Sequence, residues 1–185
     1  MSSPKLPSRQ VEQHSLTPEH FEKHATMKLW VSVSLPLYVL DQAAKALVLA
    51  KISTDEMVPV IPGFFNLVQV HNTGAAFGML RDNNLFFIAL SCAALIILGI
   101  LGWKNVFVDG PSRWAAALLV AGICGNLTDR ILHGHVVDFL DFILPVYGRW
   151  PAFNIADSCI CIAAGLFIVA SFMDTKRKKA QPSLP

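Results

Sequence analysis

The sequence predicts an all-α integral membrane protein, a four-transmembrane-helix bundle carrying a small extracytoplasmic β-rich platform. Three observations carry that prediction. Of the 185 residues only 15% are charged and 54% are hydrophobic, whereas about one quarter of an average soluble domain is charged. The mean hydropathy is +0.49. The apolar residues also collect into four long runs, each near the ~20 residues that cross ~30 Å of hydrocarbon. Together these exclude a soluble globular domain, a disordered chain and a coiled coil. The formal net charge of +2, with no basic stretch interleaved with aromatics, leaves no footprint for nucleic acid.

Taken in order, residues 1–27 form a polar tail with Pro4, Pro7 and Pro18, and Thr17-Pro18-Glu19 marks a helix start of a turn or two, with Thr as cap and Pro at the first helical position. A membrane domain is expected over 28–173, with spans at about 29–50, 84–103, 114–132 and 153–173, followed by a basic tail at 174–185. The first run is too long for a signal-peptide core and holds Asp41 and Lys45, so it is expected to stay in the mature protein. Lys5, Arg9, Lys23 and Lys28 precede the first span, Lys104 and Arg113 flank the second connection, and Lys176, Arg177, Lys178 and Lys179 follow the fourth span. Fewer cations, Lys51, Arg81, Arg130 and Arg149, fall on the other side. The positive-inside rule therefore places both termini in the cytoplasm.

The two outward connections have a different composition. Residues 57–80 hold Pro59, Pro62 and Gly63 and the partly alternating run Phe65 to Val70, and residues 135–150 hold Val136, Val137, Phe139 and Phe142 among polar residues. Both predict short β-structure or an interfacial platform lying against the membrane surface. The four cysteines, Cys92, Cys124, Cys159 and Cys161, fall inside apolar runs, where a thiol packs as a small hydrophobe rather than joining a disulfide framework.

The intramembrane polar residues converge on one layer. With ~1.5 Å rise per residue, Asp41 and Lys45 stand ~18 and ~24 Å along the first span, and Asn126, Asp129 and Arg130 stand at the same depth on the third. Asn154 and Asp157 open the fourth span, and Asp138 follows the third after Gly134, a residue suited to end a helix. Charges in a bilayer usually face a bundle interior or a wet cavity, so such clustering marks a site. Blander explanations stand beside it. Lys45 can snorkel from an ion pair with Asp41; Arg130 beside Asp129 can bind a lipid headgroup; Asp157 can simply complement the positive end of its helix, with Asn154 at cap spacing. Asp138 and Asp141 can be solvated loop carboxylates, and Ser158 lacks a positioned base. His133-Gly134-His135 suits a polar helix end better than a metal site.

Five segments together are more specific. Asp41-Gln42-Ala43-Ala44-Lys45, Asn72-Thr73-Gly74-Ala75-Ala76-Phe77-Gly78, Gly122 to Arg130 with Asn126 and Asp129 inside it, Val136-Val137-Asp138-Phe139 and Phe153-Asn154-Ile155-Ala156-Asp157 resemble, in order and spacing, the motifs of the bacterial lipoprotein signal peptidase family, signal peptidase II. The resemblance runs from about residue 28 to 173, with the polar tail before Met27 as the main departure. It implies an aspartic endopeptidase of the cell inner membrane that removes signal peptides from diacylglyceryl-modified prolipoproteins by cleaving before the lipidated cysteine. It implies Asp138 and Asp157 as the catalytic pair, Asp41, Lys45, Asn72, Gly74, Asn126, Arg130 and Asn154 as substrate-binding or supporting residues, and a scaffolding part for Asp129. Asp141 has no clear place in the pattern. The expected partners are the prolipoprotein substrates and membrane lipid, with no cofactor, no metal, and activity as a monomer.

The chemistry agrees with the residues. Peptide hydrolysis by two carboxylates needs one ionised group to activate water and one protonated group to polarise the carbonyl, and close carboxylates naturally share one proton. Asp157, at a helix N-terminus, is expected as base and Asp138 as acid. A small proton-coupled transporter and a non-catalytic membrane scaffold are the rival classes. Transport sites lie near the midplane and show repeats or broken helices, which this layer does not match.

Overall fold

The computed structural model describes residues 18–74 and 82–180. The first 17 residues, the 75–81 segment with Phe77, Gly78 and Arg81, and the last five residues lie outside the described residues. Helix α1 covers Pro18–Lys51, α2 Asn84–Trp103, α3 Gly110–His133 and α4 Ile155–Ala180. The parts long and apolar enough to cross a membrane are Thr26–Lys51, Asn84–Trp103, Gly110–His133 and Ile155–Lys176. All four expected spans are present, and their ends differ for local reasons. Helix α1 starts at Pro18 and runs without a break into the first span. Helix α3 starts before the apolar run at Trp114, because Asp109 caps it by accepting the Ser112 N–H at 2.8 Å and a proline stands in the first turn.

Helix α3 is the centre of the bundle and touches the other three helices. Its small residues make this possible: Ala115, Ala116, Ala117, Ala121, Gly122 and Gly125 are all buried. In a membrane, where lipid is as apolar as leucine, close approach through small residues is a main source of helix association. A Cβ at Gly122 would lie 2.5 Å from the Ala156 carbonyl oxygen, and one at Gly125 would lie 2.6 Å from Asp41 Oδ2. Helix α1 contributes one stripe at helical spacing, Thr26, Trp30, Ser34, Asp41, Lys45 and Val48, while Leu35, Val39, Leu40 and Leu47 face outward. Pro36 sits inside α1 without ending it, as membrane helices tolerate. Of the cysteines, Cys159 is buried as expected, whereas Cys92 and Cys161 are exposed and fill no core.

The expected β-structure is a four-stranded antiparallel sheet in the order β1 (Met57–Ile61), β2 (Phe65–Asn72), β3 (Val136–Leu144) and β4 (Gly148–Arg149). It stands on one end of the bundle, where Val137 and Phe139 of β3 pack with Val48 and Ile52 at the end of α1. Gly134, in the left-handed conformation with φ 77°, closes α3 and turns the chain into β3. Just before α4, Phe153 exchanges backbone hydrogen bonds with Leu140 at 2.8 and 3.1 Å, and its ring stacks on Phe142 with centroids 5.7 Å apart. That splice fixes the start of α4 beside β3.

Candidate active site

Asp138 is the third residue of β3 and pairs with Val70 of β2. It is 2% exposed, so it is not a solvated loop carboxylate, and neither is Asp141. Its Oδ1 accepts from Asn154 Nδ2 at 2.7 Å and its Oδ2 from Asn72 Nδ2 at 2.9 Å. Asn72 is fixed in turn, because its Oδ1 accepts the Gly74 N–H at 3.0 Å. Burial first, and then the negative charge of Asp157, push the Asp138 carboxyl up to about 7, against the lowering effect of both amides and of Lys45.

Asp157 lies in the first turn of α4. Its N–H donates to Asn154 Oδ1 at 2.8 Å while its Oδ2 accepts the Asn154 N–H at 3.2 Å, the reciprocal arrangement of a capping box. Oδ1 accepts from Asn126 Nδ2 at 2.7 Å. The capping explanation for Asn154 and Asp157 is thus correct and compatible with a site: the same Asn154 side chain that caps the helix reaches Asp138 on the sheet. One amide therefore sets both carboxylates.

Behind them lies Lys45, 2% exposed. It does not snorkel. Its ammonium contacts Asp41 and Asp129, each at 2.8 Å, and donates to Asn126 Oδ1 at 3.0 Å, which matches its three donors. Accepting from Lys45 turns the Asn126 amide so that its NH₂ faces Asp157. Asp41 Oδ1 accepts the Ala156 N–H at 2.9 Å, and Asp129 Oδ2 accepts the Val137 N–H at 3.1 Å. Each of these carboxylates thus holds the backbone one residue before one aspartate of the pair.

Asp129 is paired with Lys45 and not with its neighbour Arg130. The Arg130 guanidinium points into the site, donating to the Gly74 carbonyl at 3.3 Å and lying over the Phe87 ring at 4.8 Å. Ser158 is occupied as a donor to the Asn154 carbonyl at 3.0 Å. His135 stacks on His71 with ring centroids 4.0 Å apart, and burial followed by the two neighbouring histidines lowers its pKa. Among the described residues, no three His, Cys, Asp or Glu side chains are grouped to hold a metal ion.

Asn72, Gly74, Asn126, Arg130, Asp138 and Asp157 line one cavity of about 1230 Å³. Its other walls are largely apolar, with Val68, Val136, Phe153, Ile160 and Ile162, and Asp141, Arg149 and Trp150 stand at its sheet side. All the site residues expected from the sequence are brought to this cavity or directly behind it. Gln42 and Phe87 were not among them. Gln42 Nε2 lies 3.0 Å from Asp129 Oδ1, 3.1 Å from the Gly125 carbonyl and 3.2 Å from Asp41 Oδ2; the available signal was its place between Asp41 and Lys45. Phe87 had no polar signal, because its role is to lie flat under a guanidinium from another helix.

Two carboxylates, Asp138 buried and Asp157 half-buried, are bridged by one asparagine and open onto a mostly apolar cavity, an arrangement suited to peptide hydrolysis without a metal. The family model described as signal peptidase (SPase) II matches residues 33–173. The lipoprotein signal peptidase of Syntrophotalea carbinolica is 37% identical over 161 residues, covering 85% of this chain and 99% of the relative. That of Vibrio cholerae is 38% identical over 160 residues, covering 83% and 91%. A bacterial membrane enzyme solved by the in meso method at 2.3 Å superposes with a TM-score of 0.75 at 33% identity, covering 87% of this chain and 95% of its own. The motifs, the four-span frame and these relationships agree, and the chain belongs to the signal peptidase II family of membrane aspartic peptidases.

Proposed function

We propose that this enzyme removes signal peptides from diacylglyceryl-modified lipoprotein precursors, cleaving before the lipidated cysteine with Asp138 and Asp157 as its catalytic pair. The observation that carries the assignment is the Asn154 bridge, which sets one carboxylate from the sheet and one from a helix start at the same cavity. Asp157, with N–H donors on both oxygens and at the positive end of α4, is the base that takes a proton from water. Asp138, with its pKa near 7, holds the shared proton and passes it to the carbonyl oxygen of the scissile bond. The tetrahedral intermediate then collapses as Asp157 gives its proton to the leaving amine and Asp138 takes one back from a hydroxyl of the gem-diol, which restores the starting pair. Asn72 and Arg130 line the path of the peptide, and Gly74 holds the Asn72 amide in place.

The site stands at the sheet end of the spans, where a cysteine anchored by acyl chains would hold its peptide bond without drawing it to the bilayer centre. The apolar cavity walls suit those chains, and binding them supplies positioning energy. Lys28, Lys104, Arg113 and Lys176 all flank the opposite ends of the spans. This supports insertion in the inner membrane with both termini cytoplasmic and the site at the outer leaflet. The network from Lys45 to Asp138 and Asp157 closes within one chain, and we read the enzyme as active as a monomer.

The test is conversion of a diacylglyceryl-modified precursor to its mature form, followed by mobility shift at matched membrane abundance. Asp138→Asn and Asp157→Asn should each lower turnover by roughly 10²–10⁴-fold or more, the usual worth of a general acid or base. Near-normal turnover in either variant would remove that residue from the pair.

A further inference from the structure

Asp141 is a buried carboxylate of the sheet that the catalytic pair does not use. It is 2% exposed, and its oxygens are engaged away from Asp138: Oδ2 accepts from Asn66 Nδ2 at 2.8 Å and from Arg149 Nη2 at 3.1 Å, and Oδ1 from Arg149 Nε at 2.9 Å. Two parallel bonds between a guanidinium and a carboxylate fix the orientation of both groups. The partners are unequally placed, since the Asp141 side chain is 3% exposed and that of Arg149 52%. A desolvated carboxylate adds little stability by holding an exposed cation. What it does supply is aim.

Arg149 is aimed at the rim of the catalytic cavity, which it lines together with Asp141 and Trp150. Its Nε and Nη2 are used by Asp141, with Nη2 also 3.3 Å from Met57 Sδ, and Nη1 has no partner among the described residues. The sheet stands beyond the ends of the spans. In the peptidase reading the apolar signal segment stays among the helices, so the part of a precursor that follows the scissile bond lies on the sheet side of the cavity, where Arg149 stands. We infer that Arg149, oriented by Asp141 and Asn66, is a specificity residue that contacts the precursor just after the lipidated cysteine and favours acidic over basic side chains there. This inference rests on the peptidase reading above. An incoming group meets the guanidinium first and the carboxylate lies behind it, so an acceptor gains a charge-assisted hydrogen bond and a cation meets repulsion. At longer range the two opposite charges cancel. Selectivity is therefore confined to residues that touch the rim.

The experiment uses the full chain in membranes and three diacylglyceryl-modified precursors that differ only in the two residues after the modified cysteine, a pair of glutamates, serines or lysines. Wild type should prefer the glutamate to the lysine precursor by roughly three- to fivefold in kcat/KM, the scale of a partly exposed charge contact, with the difference in KM. Arg149→Gln should bring that ratio close to one. Because it leaves Asp141 buried without its cation, the double variant Arg149→Gln, Asp141→Asn is the second arm, and it should lose the preference in the same way. An unchanged ratio in both variants, or no preference in wild type, overturns the inference. An equal fall on all three precursors in both variants overturns it too, leaving the pair as a support of the sheet. Wild type that cleaves none of the three strikes the peptidase reading first and this inference with it.

Discussion

The two ends of the bundle are built from the same helices by opposite means. Away from the sheet, Trp30 of α1, Leu98 of α2, Ala116 and Ala117 of α3 and Phe107 form an apolar cluster. It is held by ring contacts, Trp30 to Phe107 at 5.8 Å and Phe107 to Phe167 at 6.0 Å. At the sheet end the same α1 and α3 meet through Asp41, Lys45, Asn126 and Asp129, where hydrogen bonds and ion pairs replace apolar contact. Polar satisfaction also differs: Thr26 Oγ1 and Trp30 Nε1 are buried at the apolar end without a partner among the described residues, whereas the Lys45 donors are all used. Close packing alone suffices where nothing must be aimed. A network is found where two carboxylates must be held in one geometry, and it leaves little freedom to change any member.

The largest effect is expected from removing the hub. Lys45→Met keeps much of the side-chain volume but leaves Asp41 and Asp129 buried with no cation, a situation that costs about 3–5 kcal/mol when one partner of a buried pair is lost. The Asn126 amide also loses its orienting donor. Thermal unfolding in detergent should show a large drop, and precursor cleavage should be lost with it. A Lys45→Met protein with wild-type stability would mean that the network is not the frame of the site.

A smaller effect separates the two ends with one kind of substitution. A Cβ at Gly122 meets the Ala156 carbonyl oxygen at 2.5 Å, which is backbone on the helix that carries Asp157, while a Cβ at Gly102 meets the far edge of the Trp30 ring at 2.7 Å. The ring can swing; the helix must shift. Gly122→Ala should therefore cost about 1–3 kcal/mol by overpacking and reduce cleavage, because α4 is displaced from α3. Gly102→Ala should be milder in stability and leave cleavage nearly intact. Equal effects on cleavage would show that the spacing of α3 and α4 does not control the pair.

The spans were legible because apolar runs of membrane length have few other uses, and the polar layer because charges at one depth are rare. The Asn154 to Asp157 spacing revealed a helix start, yet not that Asn154 also reaches Asp138 from 16 positions away. Span ends shifted where caps such as Asp109 and Asn154 decide them, since hydropathy is blind to caps. The sheet was visible only as a tendency: its strand order and the register shift between Leu67 and Val70 depend on pairing between connections more than 60 residues apart. Gln42 and Phe87 were hidden for the same reason, as each acts through a partner that is distant in the chain, Asp129 and Arg130 respectively.

The smallest effect tests the polar end most finely. Asn72 donates to Asp138 Oδ2 at 2.9 Å, and this bond favours the ionised carboxylate, opposing the burial that raises its pKa to about 7. If Asp138 must be protonated to act as the acid, activity falls as pH rises through about 7. Asn72→Ala removes a lowering influence, so the pKa rises and the alkaline fall in kcat moves to higher pH, even though turnover drops because the carboxylate is held by Asn154 alone. The sign is the useful part, since a variant that merely loosened the fold would lower turnover at every pH and leave the midpoint in place. An acidic rise in kcat that moved to higher pH, with the alkaline fall left in place, would mean that Asp138 acts in its ionised form and that the acid and base are exchanged.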